Sequence, residues 1–274
     1  KVYYHWMPGL PGADPALDLS LSRMLFEDER FRPDGLKIYP TMVIAGTELE
    51  RWHREGRYRP YGRDELVALV AGIKAAVPRY ARIARVLRDI PTDYIEAGCR
   101  DSLRGLVKDY LARHGLECRC VRCREFGHRA RLGYDIGEPR LARLDYEASG
   151  GKEIFLSFED ERETLFGLLR LRIQPLAAPV PGAAGSAALV RELHVFGPEV
   201  PLSEKRVGAA QHRGLGRALL QEAERIAAAE FGLDDIAVLS GAGARGYYRE
   251  AGYELDGHYM VKRLQPALLA GRPF

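Results

Sequence analysis

The chain is sparing with sulfur and indole: its 274 residues include four cysteines, four methionines and two tryptophans. A disulfide-stapled secreted fold is excluded, because three of the four thiols crowd into Cys118-Arg119-Cys120-Val121-Arg122-Cys123. No apolar run approaches the roughly 20 residues that span a bilayer, so neither a membrane protein nor a membrane partner is expected. No secretory leader is visible. Charge of one sign is not in large excess either. A net charge of +3 by itself names no polyanionic partner. With 46% hydrophobic and 29% charged residues, the chain reads as a soluble, cytoplasmic, globular protein. Its length suggests roughly two domains.

Charge is distributed less evenly than it sums. Between Arg79 and Arg143 there are 15 Arg and Lys against 9 Asp and Glu, a local excess of 6. Arg79, Arg82, Arg85 and Arg88 are followed by Arg119, Arg122, Arg124, Arg129 and Arg131. A solvated basic face accounts for any one of them. Their clustering is the electrostatic footprint of nucleic acid, where phosphate neutralisation supplies much of the affinity. The cysteine cluster lies within this stretch. Three thiolates so close repel one another unless a cation lies between them, and flanking arginines favour the metal-binding thiolate form. Zinc fits better than an iron–sulfur cluster, whose usual spacings differ. Cys99, His114, His128 or solvent could supply a fourth ligand, and reduced, metal-free cysteines are the alternative.

The first ninety residues alternate strand and helix signals, as βα units do. Val2 to Met7 and Leu36 to Tyr39 read as strands, and Tyr80 to Leu87 as extended or mixed. Asp14 caps a helix opening at Pro15 and running to about Glu27, and Leu66 to Ala76 is helical. The set is too short to close a barrel of eight strands and reads as the end of an α/β barrel. Since Lys1 falls directly in a strand-like run, the chain looks like the C-terminal portion of something longer. A helix from about Asp101 to Arg113, stopping at Gly115, and the cysteines make residues 93–143 a connector organised around metal. Antiparallel strands then follow: Glu153 to Phe158 and Thr164 to Ile173, linked through Glu159-Asp160-Glu161 and preceded by a Gly150-Gly151 turn. Pro175, Pro179, Pro181, Gly182 and Gly185 form a loop expected to be mobile. The expected domains are 1–92, 93–143 and 144–274.

Gln211-His212-Arg213-Gly214-Leu215-Gly216-Arg217 opens an amphipathic helix. Backbone N–H groups at its first turn can close around a diphosphate, helped by the helix dipole. Arg213 and Arg217 add donors suited to phosphate oxygens. A strand-like run, Ala188 to Phe196, precedes this helix, an apolar strand, Ile236 to Leu239, follows it, and Tyr247-Tyr248 comes next. That order resembles the acetyl-coenzyme A fold of GNAT acetyltransferases.

Further stretches carry a resemblance across almost the whole chain. They include His5-Trp6-Met7-Pro8-Gly9-Leu10-Pro11-Gly12, Leu36-Lys37-Ile38-Tyr39-Pro40, Arg88-Asp89-Ile90-Pro91, Cys123-Arg124-Glu125-Phe126-Gly127, Arg191-Glu192-Leu193-His194-Val195 and Gly257-His258-Tyr259-Met260. The chain resembles the family of the Elongator catalytic subunit, which modifies the wobble uridine of tRNA. In that family a radical S-adenosylmethionine (SAM) barrel precedes a GNAT domain. The resemblance implies an acyltransferase that binds acetyl-coenzyme A and tRNA and gives a carboxymethyl-type uridine. Leu193, His194 and Val195 would hold the pantetheine arm. Gln211, His212, Arg213, Gly214, Leu215, Gly216 and Arg217 would hold the diphosphate, and Tyr248 or Tyr247 would protonate the leaving thiolate. Cys118, Cys120 and Cys123, with Cys99, match the family's zinc site. Lys37, Arg82, Arg85, Arg88, Arg119, Arg122 and Arg124 would face the tRNA anticodon stem-loop. Elongator-type subunits or a homodimer are the implied assemblies. The family's [4Fe–4S] cysteine motif is absent from this sequence, so the chain as it stands should not perform the radical step. His5 in its apolar strand reads as a core residue. Two other readings compete: a lysine N-acetyltransferase, for which Glu192 is a conceivable base, and a non-catalytic RNA-binding scaffold.

Overall fold

Apolar strands alternating with capped helices build the first half of the chain. The computed structural model describes residues 1–100, 102–175, 187–197 and 214–264. The chain divides into two units, Lys1–Cys123 and Arg124–Phe274. The first runs β1 (Tyr3–Trp6), α1 (Pro15–Glu27), β2 (Gly35–Ile38), β3 (Val43–Ile44), α2 (Glu48–Arg54), α3 (Arg63–Ala76), β4 (Arg82–Val86), β5 (Ile95–Ala97) and α4 (Leu103–Arg113). β1, β2 and β4 make a parallel sheet in that order, and α1 and α3 lie on the crossovers such pairing requires. Asp14 caps α1 as expected, its Oδ1 accepting the Leu17 N–H at 2.8 Å. The segment expected to be extended or mixed, Tyr80 to Leu87, contains the sheet strand β4. α3 buries Leu66, Val67, Leu69, Val70, Ala71 and Ile73, each large aliphatic contributing roughly 1.5–3 kcal/mol.

Three elements of the first unit, β3, β5 and α2, were not foreseen. β3 and β5 form a short antiparallel pair. α2 is capped by Thr47, whose Oγ1 accepts the Glu50 N–H at 3.3 Å, and the Glu50 carboxylate accepts the N–H of the preceding Gly46 at 2.7 Å. The signal Thr47-Glu48-Leu49-Glu50 was legible in the sequence.

The short helix α5 (Val121–Arg124) spans the boundary between the two units. The second unit continues with α6 (Phe126–Arg131), β6 (Arg140–Ala148), β7 (Gly151–Glu159), β8 (Leu165–Ile173), β9 (Ala188–Val195), α7 (Leu215–Arg225), β10 (Asp235–Val238), α8 (Arg245–Glu250), β11 (Glu254–Asp256) and β12 (Tyr259–Arg263). Its sheet has the order β11-β12-β10-β9-β8-β7-β6. β6 to β9 are antiparallel, whereas β9 and β10 are parallel across the α7 crossover. The first hairpin turns at Ser149 and Gly150, both with positive φ, so Gly151 opens β7 rather than completing the turn. Leu219, Leu220, Ala223, Ile226 and Ala227 bury one face of α7 and its π-helical continuation Ile226–Glu230 against the sheet. Glu224 lies on the same face and is satisfied there by the Tyr253 hydroxyl at 3.0 Å and Lys262 Nζ at 2.6 Å. The proline–glycine loop beyond Pro175 lies outside the described residues.

Candidate functional site

β9 and β10 part company part-way along. Their register ends at Val190↔Val238, yet β9 continues to Val195. Beyond Val190 no described strand pairs with that edge. The N-terminal turn of α7 closes the gap from the other side. The result is a cleft of about 400 Å³ lined by Leu193, Val195, Gly214, Gly216, Arg217, Ala244, Tyr247 and Tyr248.

Both glycines are required by this geometry. Gly214, the residue before α7, has φ +97°, a left-handed conformation that glycine adopts without strain. A Cβ at Gly216 would stand 3.1 Å from the Tyr247 hydroxyl and 3.4 Å from Val195 Cγ2, filling the cradle. The helix thus presents unblocked N–H groups to the cleft, the arrangement that accepts a phosphate. Arg217 is held beside it, its Nη2 donating to the Glu250 carbonyl at 3.1 Å. Gln211, His212 and Arg213, expected to extend this cradle, lie outside the described residues. Leu215 is half-buried, and His194 is exposed with its ring 4.4 Å from that of Phe196.

The two phenols differ. Tyr247 is half-exposed with its hydroxyl over Gly216, while Tyr248 is buried and packs edge-on against Tyr247 and Tyr253. Burial raises both above the ordinary phenol value; at Tyr247 the Arg217 guanidinium opposes this in part. Glu192 is no free base. Its carboxylate is paired at 2.9 Å with Arg170, itself 2% exposed, which removes the base considered for an N-acetyltransferase.

The three clustered cysteines converge in the first unit. Their sulfurs lie within 4.8 Å of one another, with Cys118 and Cys120 buried. Hydrogen bonds from Cys118 and Cys123 pull the Cys120 thiol well below its ordinary value. The donor set suits a thiophilic divalent cation. Among the described residues the convergent group holds these three sulfurs; Cys99, expected as a fourth ligand, is buried, and His114 stacks on Tyr110 and bonds its carbonyl at 2.8 Å. Lys74, on the buried face of α3, reaches Cys123 Sγ at 3.7 Å. The sequence pattern had not singled it out.

At the C-terminal ends of β1, β2 and β4 lies a second cavity, of about 570 Å³. His5, Met7, Tyr39, Thr41, Arg85 and Arg88 are among its lining residues. His5 is therefore exposed rather than a core residue, its ring edge-on to Tyr39 at 5.2 Å. Side chains on one face of a short parallel strand emerge toward this rim, which periodicity alone did not reveal. Arg85 is exposed and pairs with Asp89 at 2.7 Å, and Arg88 is exposed. Lys37, Arg82 and Arg122 are half-buried, and Arg119 is exposed.

Arg124 and Arg129 do not belong to a basic surface. Arg124 is wholly buried and pairs with Glu159 at 2.9 Å, and Arg129 is buried against Thr164 and the Tyr134 ring. Arginine spacing cannot distinguish a solvated guanidinium from one whose carboxylate partner arrives from a distant hairpin. Arg124→Ala is expected to cost about 3–5 kcal/mol in chemical denaturation, because the buried Glu159 carboxylate loses its guanidinium partner. The folded variant should bind RNA as tightly as the parent; a stable variant with weakened RNA binding would restore Arg124 to the interface.

Comparison with known proteins matches this geometry. The profile of the Radical_SAM C-terminal domain covers residues 33–113. The tRNA uridine(34) acetyltransferase of Dehalococcoides mccartyi is 62% identical over 266 residues, 96% of this chain and 58% of that protein. Human Elongator complex protein 3 is 45% identical, over 97% of this chain and 49% of its own length. The solved archaeal Elp3 of Methanocaldococcus infernus, with an N-terminal deletion, superposes with a TM-score of 0.87 at 43% identity, covering 96% of this chain and 63% of that one. Over nearly all of its length the chain is similar to proteins named tRNA uridine(34) acetyltransferase and Elongator complex protein 3. It spans about half the length of the curated relatives it matches. The expected fold class holds: the C-terminal part of a radical SAM α/β barrel, a cysteine-bearing connector and a GNAT-type sheet. Among the described residues no helix is long and apolar enough to cross a membrane.

Proposed function

We propose that this chain is the acetyl-coenzyme A-handling part of a tRNA wobble-uridine modifying acyltransferase. In this reading residues 1–92 are barrel, 93–143 a zinc-holding connector and 144–274 the acetyltransferase domain. The observation that carries it is the Gly214–Gly216 cradle across the cleft from Leu193 and Val195, where β9 has run past its register with β10. Amides at the start of α7, with Arg217 and the preceding Gln211, His212 and Arg213, would hold the diphosphate. Leu193, His194 and Val195 would hold the pantetheine arm through their backbone and polarise the thioester carbonyl. When water adds to the thioester carbonyl and the acyl–sulfur bond breaks, the acyl group would leave as a carboxylate and a phenol of the Tyr247–Tyr248 pair would give its proton to the departing thiolate, regaining one from the water consumed.

The sign of the phenol shifts fits that role. Both groups are protonated at neutral pH, and burial moves their loss of the proton further into alkali. Thioester cleavage should therefore persist through neutral pH and fall only as pH rises through the raised phenol values. The Tyr247→Phe/Tyr248→Phe double variant is expected to bind coenzyme A normally and release thiol from acetyl-coenzyme A, in the presence of tRNA, about 100-fold more slowly. An unchanged rate would favour the non-catalytic scaffold.

Cys118, Cys120 and Cys123 would hold zinc, a structural role for which three convergent thiols are suited. The cavity at the strand ends would form one wall of the SAM and uridine pocket. None of this chain's cysteines forms the iron–sulfur motif of the family, so no radical step is assigned to its residues. Arg85 and Arg88, with Lys37, Arg82, Arg119 and Arg122, would meet the anticodon stem-loop, with Elongator-type subunits or a second copy completing the assembly. Arg88→Gln should weaken tRNA binding and reduce the slope of log affinity against log salt by about 0.7–0.9. A slope equal to the parent's would remove Arg88 from the interface.

A further inference from the structure

We propose that Lys74 is the outer-shell partner of the cysteine centre, its ammonium donating a hydrogen bond to the Cys123 thiolate and balancing the charge of a three-thiolate metal site. The inference rests on the metal reading of Cys118, Cys120 and Cys123. A lysine on the apolar face of a helix is unusual, and this one is 6% exposed among Leu66, Val70 and Ile73 on the buried face of α3. A buried ammonium is costly unless paired. Among the described residues no carboxylate pairs with Lys74; its polar partner is Cys123 Sγ at 3.7 Å, within range for a hydrogen bond to sulfur.

The charge arithmetic explains why a cation belongs there. Three thiolates around one divalent ion leave one net negative charge, and Cys118, Cys120 and Lys74 are all buried. One ammonium cancels that charge within the same pocket. Four thiolates would leave two negative charges, so a three-thiolate centre with one lysine is the balanced composition. The absence of Cys99 from the group accords with this. Arg104 and Arg122 also lie within electrostatic range of the cysteines, but both are only half-buried and solvent screens them. Lys74 differs from them in burial and in direct contact with sulfur. A hydrogen bond to a metal-bound thiolate stabilises its lone pairs, which tightens metal retention at neutral pH and lowers the nucleophilicity of sulfur.

The test uses the full chain and zinc itself, in competition with a chromophoric chelator, comparing wild type with Lys74→Met, Lys74→Arg and Arg104→Gln. Lys74→Met should bind zinc about 10–100-fold more weakly. Lys74→Arg should recover most of the loss, and Arg104→Gln should change affinity little. In cobalt-loaded protein, the sulfur-to-metal charge-transfer band of Lys74→Met should move to lower energy, a shift that a merely structural role does not produce. If Lys74→Met does not fold, Lys74→Gln keeps a donor without the charge and should give an intermediate affinity. Equal zinc affinity and an unmoved band in Lys74→Met or Lys74→Gln overturn the inference while leaving the metal reading intact. An equal loss in Arg104→Gln overturns it too, by showing a general charge effect. Wild-type protein that takes up neither metal removes the metal reading and the inference together.

Discussion

Replacing Gly216 by valine should abolish coenzyme A binding without unfolding the protein. Even the first added carbon would stand 3.1 Å from the Tyr247 hydroxyl and 3.4 Å from Val195 Cγ2, and the two further methyl groups have only the cleft to occupy. The same bulk shields the N–H groups at the start of α7, where the diphosphate is to lie. Stability should change little. Gly216 sits in the first turn of a helix, where valine is a slightly better helix former than glycine, and its neighbours on one side are cleft. Calorimetric titration with coenzyme A should show a loss of at least about 100-fold, equivalent to about 2.7 kcal/mol. Gly216→Ala should fall between, because the Tyr247 side chain can yield by a few tenths of an ångström. A valine variant that binds as tightly as the parent would move the diphosphate away from α7.

Cys120→Ser should cost the first unit its metal and much of its stability. Cys120 has no solvent exposure, and the following residue, Val121, donates its N–H to the Ala81 carbonyl at 2.9 Å. The cysteine segment is thus tied to the residue that leads into β4. A metal that binds the folded chain and not the unfolded one stabilises by mass action, about 4 kcal/mol when free zinc exceeds its dissociation constant a thousandfold. Serine offers a poor ligand for zinc and leaves two thiolates without their counter-ion. Elemental analysis should fall from about one zinc per chain to none, and denaturation should lose roughly that stabilisation. Chelator should destabilise the parent and leave the variant unmoved. A parent protein indifferent to chelator would contradict a structural metal.

What the sequence disclosed depended on the range of the interaction. Caps and crossovers are local, so α1 with Asp14 and Pro15, α7 after Gly214, and the parallel β1–β2–β4 sheet were legible. The thiol cluster was legible for the same reason, since six consecutive residues hold all three sulfurs. Long-range partners were not. Glu159 is far from Arg124 in sequence, so a core ion pair looked like part of a basic surface. His5 reached a cavity rim because strand β1 ends there, which alternation of residue types does not encode. Lys74 resembled any helix lysine until α3 was seen to bury it against Cys123. The pantetheine-holding role of Leu193 to Val195 was implied only by family resemblance, because nothing in Arg191–Val195 marks where pairing with β10 stops.

The most direct test is a crystal structure of the protein with coenzyme A. The diphosphate should lie against the backbone N–H groups of Gly214 to Gly216. The pantetheine arm should run along Leu193 to Val195, with the thiol beside Tyr247 and Tyr248. Coenzyme bound elsewhere on the chain, or an empty β9–α7 cleft at saturating ligand, would contradict the account.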